Sequence, residues 1–131
     1  MIFKQLFDNK SSTDIYLIAS AKGREAIIID PVLEYVDEYI IHLKDLDLKL
    51  VKVIDTHIHA DHVTGASKLK INTNCSTIMG ENSPAETVDI KREDDGIVKI
   101  DQLSIRAMFT PGHTSDSYSF IMDNYLFSGD T

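Results

Sequence analysis

Short apolar runs separated by turn residues are the feature that most restricts how this chain can fold. The run EAIIID at 25–30 is continuously apolar and ends at Asp30-Pro31, which is typical of a buried strand. From 33 to about 48 the apolar residues recur every three or four positions, and this spacing predicts an amphipathic helix. The members of this pattern are Leu33, Val36, Ile40, Leu43, Leu46 and Leu50.

Most of the other apolar segments are strand-like. KLVKVIDT at 49–56 is rich in β-branched residues, which predicts a strand. THIHADHVTGASKLK at 56–70 predicts a loop and then a short helix. KREDDGIVKI at 91–100 predicts a charged turn leading into a strand. Many strands with few helices predict a sheet covered by helices on its outer face, in one domain of residues 1–131. Further strands are predicted at 2–7, 11–20, 75–80, 103–110, 117–122 and 125–129.

Charge and cysteine content exclude several classes of function. The 13 basic and 21 acidic residues give a net charge of −8. Binding to nucleic acid or to an anionic membrane surface is therefore not expected, because both need clustered Lys and Arg. Cys75 is the single cysteine, which fits a reducing compartment. No apolar run is long enough to cross a bilayer and the first ten residues do not resemble a signal peptide, so a cytoplasmic location is expected.

The segment THIHADH at 56–62 holds three of the five histidines and an aspartate. His57 and His59 alternate, so both can face one point on an extended loop, and Asp61 and His62 can face a neighbouring point. Imidazole and carboxylate groups are ligands for zinc, iron or manganese. Histidines crowded in this way would repel one another on protonation unless a metal or substrate used them. The segment therefore predicts a metal site, whereas His42, alone in the predicted helix, is interpreted as structural.

Two further fragments support the metal site. TPGHT at 110–114 places His113 after a Pro-Gly turn, and SGDT at 128–131 places Asp130 after a predicted strand. Each fragment is a weak signal alone, since a histidine or aspartate after a turn usually has no special role. Together they follow the ends of predicted strands in order, which is how a sheet scaffold usually holds reactive groups.

The three fragments together resemble the metallo-β-lactamase superfamily, whose pattern is H-x-H-x-D-H, a distant histidine and then an aspartate. The resemblance covers the whole chain and implies an α+β fold, an αββα sandwich with the metal site at one edge. Members of the superfamily continue well beyond the SGD fragment. The chain is therefore expected to be the N-terminal half of such a sandwich, mostly strands with two or three helices. An uncovered sheet edge in such a half leads us to expect association with itself, as a homo-oligomer, or with another chain.

Within the superfamily, two branches are similar to this chain. IIIDPV followed by a helix and THIHADHVTG resembles the persulfide dioxygenases. Hydroxyacylglutathione hydrolases are also similar, but they commonly have a further histidine where Ile58 stands and a Gly-Gly pair where Val63-Thr64-Gly65 stands. The SGDT fragment fits the hydrolases slightly better. The dioxygenase interpretation is favoured, and the hydrolase interpretation remains the alternative.

The dioxygenase resemblance implies one Fe(II) held by His57, His113 and Asp130, with His59 beside them. Such a face of two histidines and one carboxylate leaves positions open for substrate and oxygen. The implied substrate is glutathione persulfide or a similar small thiol persulfide, and the products are sulfite and the free thiol. His59, Asp61 and His62 would orient the ligands and move protons, which makes Asp61 and His62 the candidate catalytic residues.

The hydrolase resemblance implies two zinc ions, or a mixture of zinc, iron and manganese. His57, His59 and His113 would hold one ion, Asp61 and His62 would help to hold the other, and Asp130 would bridge them. A bridging hydroxide would then attack the carbonyl of a glutathione thioester. A third possibility is a non-catalytic metal-binding fragment. A purely structural zinc site would more often use closely spaced cysteines, and Cys75 is alone.

Overall fold

The computed structural model describes residues 2–8, 13–55, 66–80, 90–92, 97–100, 103–109, 118–122 and 125–127. Within these residues the strands form a six-stranded and a four-stranded sheet. The strands of the first sheet are β1 (Ile2–Asp8), β2 (Thr13–Ala19), β3 (Glu25–Ile29), β4 (Lys49–Ile54), β5 (Ser76–Gly80) and β6 (Ile90–Arg92). Those of the second sheet are β7 (Ile97–Ile100), β8 (Leu103–Phe109), β9 (Tyr118–Met122) and β10 (Tyr125–Phe127).

The first sheet is antiparallel at one side and parallel at the other. Its strand order is β1-β2-β3-β4-β5-β6, with β1, β2 and β3 antiparallel and β3 to β6 parallel. Parallel neighbours need a crossover connection, usually a helix. Helix α1 (Val36–Asp45) supplies it between β3 and β4, after a 3₁₀ turn at Leu33–Tyr35, and helix α2 (Ala66–Thr73) supplies it between β4 and β5.

The first hydrophobic core lies between this sheet and its helices. Successive residues of a strand face opposite sides, so alternate residues of β3 and β4 point toward the helices. Val36, Tyr39 and Leu43 recur on one face of α1 and are buried there. The buried members of this core include Leu17, Ala26, Ile28, Val53 and Leu69, together with Cys75.

The second core lies between the two sheets. The remaining residues of the parallel strands, Ile27, Ile29, Ile54 and Ile78, pack with Ile105 of β8 and Met122 of β9. The second sheet is an antiparallel meander with the order β10-β9-β8-β7. The Lys52 ammonium of β4 also donates a hydrogen bond to the Lys99 carbonyl of β7 across the two sheets. Both faces of β3 are thus covered, which confirms the buried strand predicted from EAIIID.

Both helices end with a residue in the left-handed region. Asp47 has φ 53°, and the bonds from Asp47 N–H to the Lys44 carbonyl (3.1 Å) and from Leu48 N–H to the Leu43 carbonyl (2.8 Å) form a Schellman motif. Asn74 has φ 57° and donates to the Lys70 carbonyl at 2.8 Å, the simpler single-bond ending. The first helix therefore ends at Asp45, slightly before the predicted end near 48.

One strand was not predicted. β6 lies in the segment KREDDGIVKI and its flank, which the sequence predicted as a charged turn leading into a strand. β6 pairs with β5 through Ile78↔Ile90 and Met79↔Lys91. Pairing with an existing parallel strand overrides the weak strand propensity of three residues with two charges. The strand predicted at the end of that segment is β7.

Among the described helices, neither α1 nor α2 has the length and apolar character that a bilayer crossing requires.

Candidate metal centre

The parallel strands β3, β4 and β5 bring their carboxyl ends to one edge of the first sheet. The hydrogen-bond ladder continues one residue beyond β3 and one residue beyond β4. Asp30 N–H donates to the Ile54 carbonyl at 2.7 Å, and Asp55 N–H donates to the Ile78 carbonyl at 3.1 Å. In open sheets of this kind, ligand sites lie at the carboxyl ends of the strands. The histidine segment 56–62 begins directly after Asp55, so its starting point is fixed at this edge.

Three polar side chains in or directly after the strands of the first sheet are buried. Asp30, Asp55 and Thr77 are 1%, 7% and 6% exposed. Thr77 is in register with Val53, whose side chain belongs to the helix-facing core, and Asp55 follows Val53 by two residues. Strand alternation therefore puts Asp55 and Thr77 on the helix-facing side. Asp30 has φ 56°, which turns the chain out of the sheet directly after β3.

The segment after Asp30 is held by the first helix. Val32 N–H donates to the buried Tyr39 hydroxyl at 3.0 Å, and Tyr35 N–H donates to the Val32 carbonyl at 3.1 Å. Val32 and Tyr39 are both 2% exposed. These two bonds fix the path of the chain from the end of β3 into α1, beside the start of the histidine segment.

The predicted ligands themselves lie outside the described residues. These are His57, His59, Asp61, His62, His113 and Asp130. The described residues contain no group of three metal-binding side chains, so the predicted ligand set stays a prediction. So does the expectation that His57 and His113 approach within about 6 Å, as two bonds of about 2 Å to one ion require.

Part of the predicted arrangement follows from the described strands. β8 and β10 are both antiparallel to β9, so they run in the same direction and end at the same edge of the second sheet. His113 follows the end of β8 and Asp130 follows the end of β10 in the sequence. The topology thus starts both segments from one edge. His42 lies in α1, half-buried, with its carbonyl accepting from Leu46 N–H at 3.2 Å.

Sequence reasoning missed the two buried carboxylates. Asp30 entered the prediction only as the end of a strand, and Asp55 was included in a strand-like run. A signal was present, because the apolar runs AIIID and KVID each end in an aspartate. When two neighbouring strands are each followed by an aspartate, the sheet edge at which both strands end is predicted to be polar.

A family model described as the metallo-beta-lactamase superfamily matches residues 8–93. The chain belongs to the metallo-β-lactamase superfamily. This confirms the family and the α+β sandwich expected from the histidine and aspartate fragments, with the two sheets and their helices forming part of the full architecture.

Relatives within the superfamily include enzymes of both predicted branches. The chain is 32% identical over 133 aligned positions to the mitochondrial persulfide dioxygenase ETHE1 of Homo sapiens, a match that covers 99% of this chain and 52% of that protein. It is 38% identical over 87 positions to the hydroxyacylglutathione hydrolase of Rhodopseudomonas palustris strain HaA2, covering 63% of this chain and 34% of that protein.

A solved structure shows that the similarity to ETHE1 extends to the three-dimensional fold. The crystal structure of ETHE1 from Myxococcus xanthus superimposes with a TM-score of 0.92 and 41% sequence identity, covering 98% of this chain and 56% of that one. The chain spans about half the length of these two ETHE1 proteins.

Proposed function

We propose that residues 1–131 form the N-terminal half of an Fe(II)-dependent persulfide dioxygenase. The observation that carries this proposal is the share of this chain that each of the two matches covers. Similarity to the human dioxygenase runs over 99% of the chain, whereas similarity to the hydrolase stops at 63%. The coverage of about half of each ETHE1 protein supports the assignment to one half of such an enzyme, and the order of the three fragments suggests the N-terminal half.

The chemistry of the donor set fits an iron ion. In the proposal His57, His113 and Asp130 hold one Fe(II), and His59 lies beside them. Two imidazoles and one carboxylate are the donor set of non-haem Fe(II) oxygenases. When bound there, the iron would supply the one-electron chemistry that lets O₂ react with sulfur, which zinc lacks because it has no redox chemistry.

The other motif residues have positioning and proton-moving roles in the proposal. Asp61 and His62 follow His59 in the sequence, so they would be close to the ligands without being needed as ligands. A carboxylate beside a ligating imidazole fixes its tautomer and orientation. An imidazole near the substrate can hold the proton that leaves the persulfide.

The proposed substrate is glutathione persulfide or a similar small thiol persulfide. Its outer sulfur is oxidised by four electrons, and one O₂ is reduced by the same four electrons. The sulfur–sulfur bond breaks, the inner sulfur takes up a proton and leaves as the thiol, and water supplies the third oxygen of sulfite. The reaction is R–S–SH + O₂ + H₂O → R–SH + H₂SO₃, with sulfite released in its ionised form. Consistent with the cytoplasmic expectation, we place this reaction in a reducing compartment.

Hydrolysis of a glutathione thioester is the second candidate. Its support is the 38% identity to the R. palustris hydrolase over 87 positions, together with the SGDT fragment. In this reading His57, His59 and His113 hold one metal, Asp61 and His62 help to hold a second, and Asp130 bridges the two.

Oxygen uptake by the full-length protein tests the proposal. The protein is loaded anaerobically with Fe(II), and uptake is recorded after addition of glutathione persulfide, with sulfite measured in parallel. The expected result is uptake that disappears in His113→Ala and persists in His42→Ala. His42 is the matched control because it is a histidine of the first helix, outside the three fragments.

The zinc-loaded protein is offered an S-acylglutathione in the same series. Rapid thioester cleavage with no oxygen uptake would replace the dioxygenase assignment with the hydrolase. If neither reaction occurs while the metal still binds, the chain belongs to a non-catalytic metal-binding protein.

Asp61→Asn separates the two chemistries by the size of its effect. In the hydrolase it removes a ligand of the second metal, and activity should fall by several orders of magnitude. In the dioxygenase it changes a group that only orients the ligands, for which a loss of about 10- to 100-fold is typical.

A further inference from the structure

A small cavity opens at the start of the first helix, on the helix-facing side of the first sheet. Its volume is about 130 Å³, and its walls come from Leu6 of β1, Ile15 of β2, Tyr35 of the 3₁₀ turn, and Glu38 and Tyr39 of α1. We propose that this cavity binds a small organic cation, an ammonium group carried by a short apolar body. The binding depends neither on the metal nor on the reaction of the proposed function, because β4, which leads into the histidine segment, contributes no residue to these walls.

Regular secondary structure forms the walls of the cavity. Leu6 and Ile15 are direct partners in the antiparallel β1–β2 ladder. Ile15 and Tyr39 are buried members of the helix-facing core, and Leu6 and Tyr35 pack against that core. Tyr35 precedes Tyr39 by four positions, so the two tyrosines lie on one side of the helix start. The cavity therefore lies between a strand pair and a helix, where the packing of the two elements fixes its shape.

The burial of the five residues shows which of them lie deepest. Ile15 and Tyr39 are 1% and 2% exposed, Leu6 and Tyr35 are half-buried, and Glu38 is exposed. The floor is thus aliphatic and aromatic, and the carboxylate stands at the mouth. An apolar cavity of about 150 Å³ can hold benzene, so a cavity of this volume suits a ligand of about that size.

The charge at the mouth favours a cation over an anion. Glu38 is the single charged residue among the five that line the cavity, and the chain as a whole has a net charge of −8. A tyrosine ring also attracts a cation placed over its face, and the half-buried Tyr35 brings such a ring to the cavity. An ammonium group can therefore stay partly hydrated at the mouth, while its apolar body replaces water over Leu6 and Ile15.

Benzylammonium is the probe, because it joins a benzene ring to an ammonium group through one methylene. Titration of the full-length protein is followed by the amide signals of ¹H–¹⁵N NMR spectra. The amides of Leu6, Ile15 and Tyr39 should shift in a saturable way, with a dissociation constant on the order of 1 mM, because so small a ligand makes few contacts. Benzyl alcohol has nearly the same shape without the charge, and it should bind about 5-fold or more weakly.

Two pairs of variants test the mouth and the wall. Glu38→Gln should weaken benzylammonium binding by about 2- to 5-fold and leave benzyl alcohol unaffected, because it removes only the charge. Glu34→Gln is its control, since Glu34 is an exposed acidic residue one turn earlier that does not line the cavity. Leu6→Trp enlarges a wall residue and should weaken both probes by about 10-fold or more. Gln5→Trp places the same side chain on the opposite face of β1 and should leave both affinities unchanged.

The position of the ligand can also be measured without any substitution. Nuclear Overhauser effects from the benzyl ring to the methyl groups of Leu6 and Ile15 should appear in the unsubstituted protein, so the test holds even if Leu6→Trp does not fold. Saturable shifts confined to other parts of the chain, or none at concentrations well above the expected dissociation constant, would overturn the proposal. Equal affinities for benzylammonium and benzyl alcohol would reject a cation as the ligand.

Discussion

The hydrogen bond between Val32 and Tyr39 offers a sharp test of how the edge beside the histidine segment is held. Tyr39→Phe removes only the hydroxyl oxygen that accepts the Val32 N–H at 3.0 Å. The phenyl ring can keep its place in the helix-facing core, so the change in packing is small. The backbone N–H of Val32 is left at a position that is 2% exposed.

The magnitude follows from the cost of an unmade hydrogen bond. A typical hydrogen bond contributes about 0.5–1.5 kcal/mol net, but a buried donor left without its partner costs about 1–3 kcal/mol. Water cannot readily replace the lost hydroxyl, because the phenyl ring and the surrounding core residues exclude it. We therefore expect Tyr39→Phe to lower the free energy of unfolding by about 1–3 kcal/mol.

Urea denaturation of the full-length protein measures this change, and amide hydrogen exchange localises it. The Val32 amide should exchange slowly in the unsubstituted protein and faster in Tyr39→Phe, while the amide of Leu48 at the far end of α1 keeps its protection. Tyr35→Phe is the control, because Tyr35 is a half-buried tyrosine of the 3₁₀ turn before α1 and water can reach its site. Its effect should stay below about 0.5 kcal/mol.

Two results would refute this reasoning. A loss of less than about 0.5 kcal/mol in Tyr39→Phe would show that the Val32 N–H finds another partner. Equal losses in Tyr39→Phe and Tyr35→Phe would show that burial does not set the cost. Either result would also weaken the view that α1 fixes the chain directly after β3.

Three further predictions concern the helix end, the second core and the metal. Asp47→Gly should stabilise the protein by about 0.5–1 kcal/mol in urea denaturation, because glycine relieves the strain of φ 53° and removes a negative charge from a helix C-terminus; destabilisation would contradict this. Ile54→Ala should cost about 2–5 kcal/mol at a site that is 0% exposed, whereas Ile41→Ala, at 57% exposure, should cost less than about 0.5 kcal/mol; similar costs would reject the second core. Removing the metal with a chelator should lower the melting temperature of the full-length protein, since metal at about 100 times its dissociation constant adds about 2.7 kcal/mol, and an unchanged melting curve would count against the site.

Much of the fold could be predicted because its signals are local. The continuous apolar run at 25–30 identifies a strand covered on both faces, and in the structure it lies between the helices and the second sheet. The pattern of the first helix is correct in its buried positions Val36 and Leu43. Tyr39 is also buried on that face, but the predicted pattern of aliphatic residues did not include it.

The features that could not be predicted depend on contacts distant in sequence. β6 exists because β5 offers it a parallel partner, and no pattern in IKR indicates that. Asp47 ends α1 in a conformation usually taken by glycine, so the helix end carried no glycine signal. The burial of Asp55 depends on the ladder with β5, whereas its sequence neighbours indicate only a strand. The histidine and aspartate fragments were visible because that chemistry needs those residue types at those spacings.

The proposed ligand set also explains why a sandwich of two sheets suits this chemistry. His57 follows β4 of the first sheet, whereas His113 and Asp130 follow β8 and β10 of the second. An ion held by all three would join the two sheets at their edges. Within the described residues the sheets are already joined by the core around Ile54 and Ile105 and by the bond from Lys52 to Lys99. That core sets the separation of the sheets, and the backbone N–H groups of Asp30 and Asp55 extend the hydrogen-bond ladder at the ends of β3 and β4. The metal would then bind between two sheets whose separation is already set, so less conformational freedom would be lost on binding.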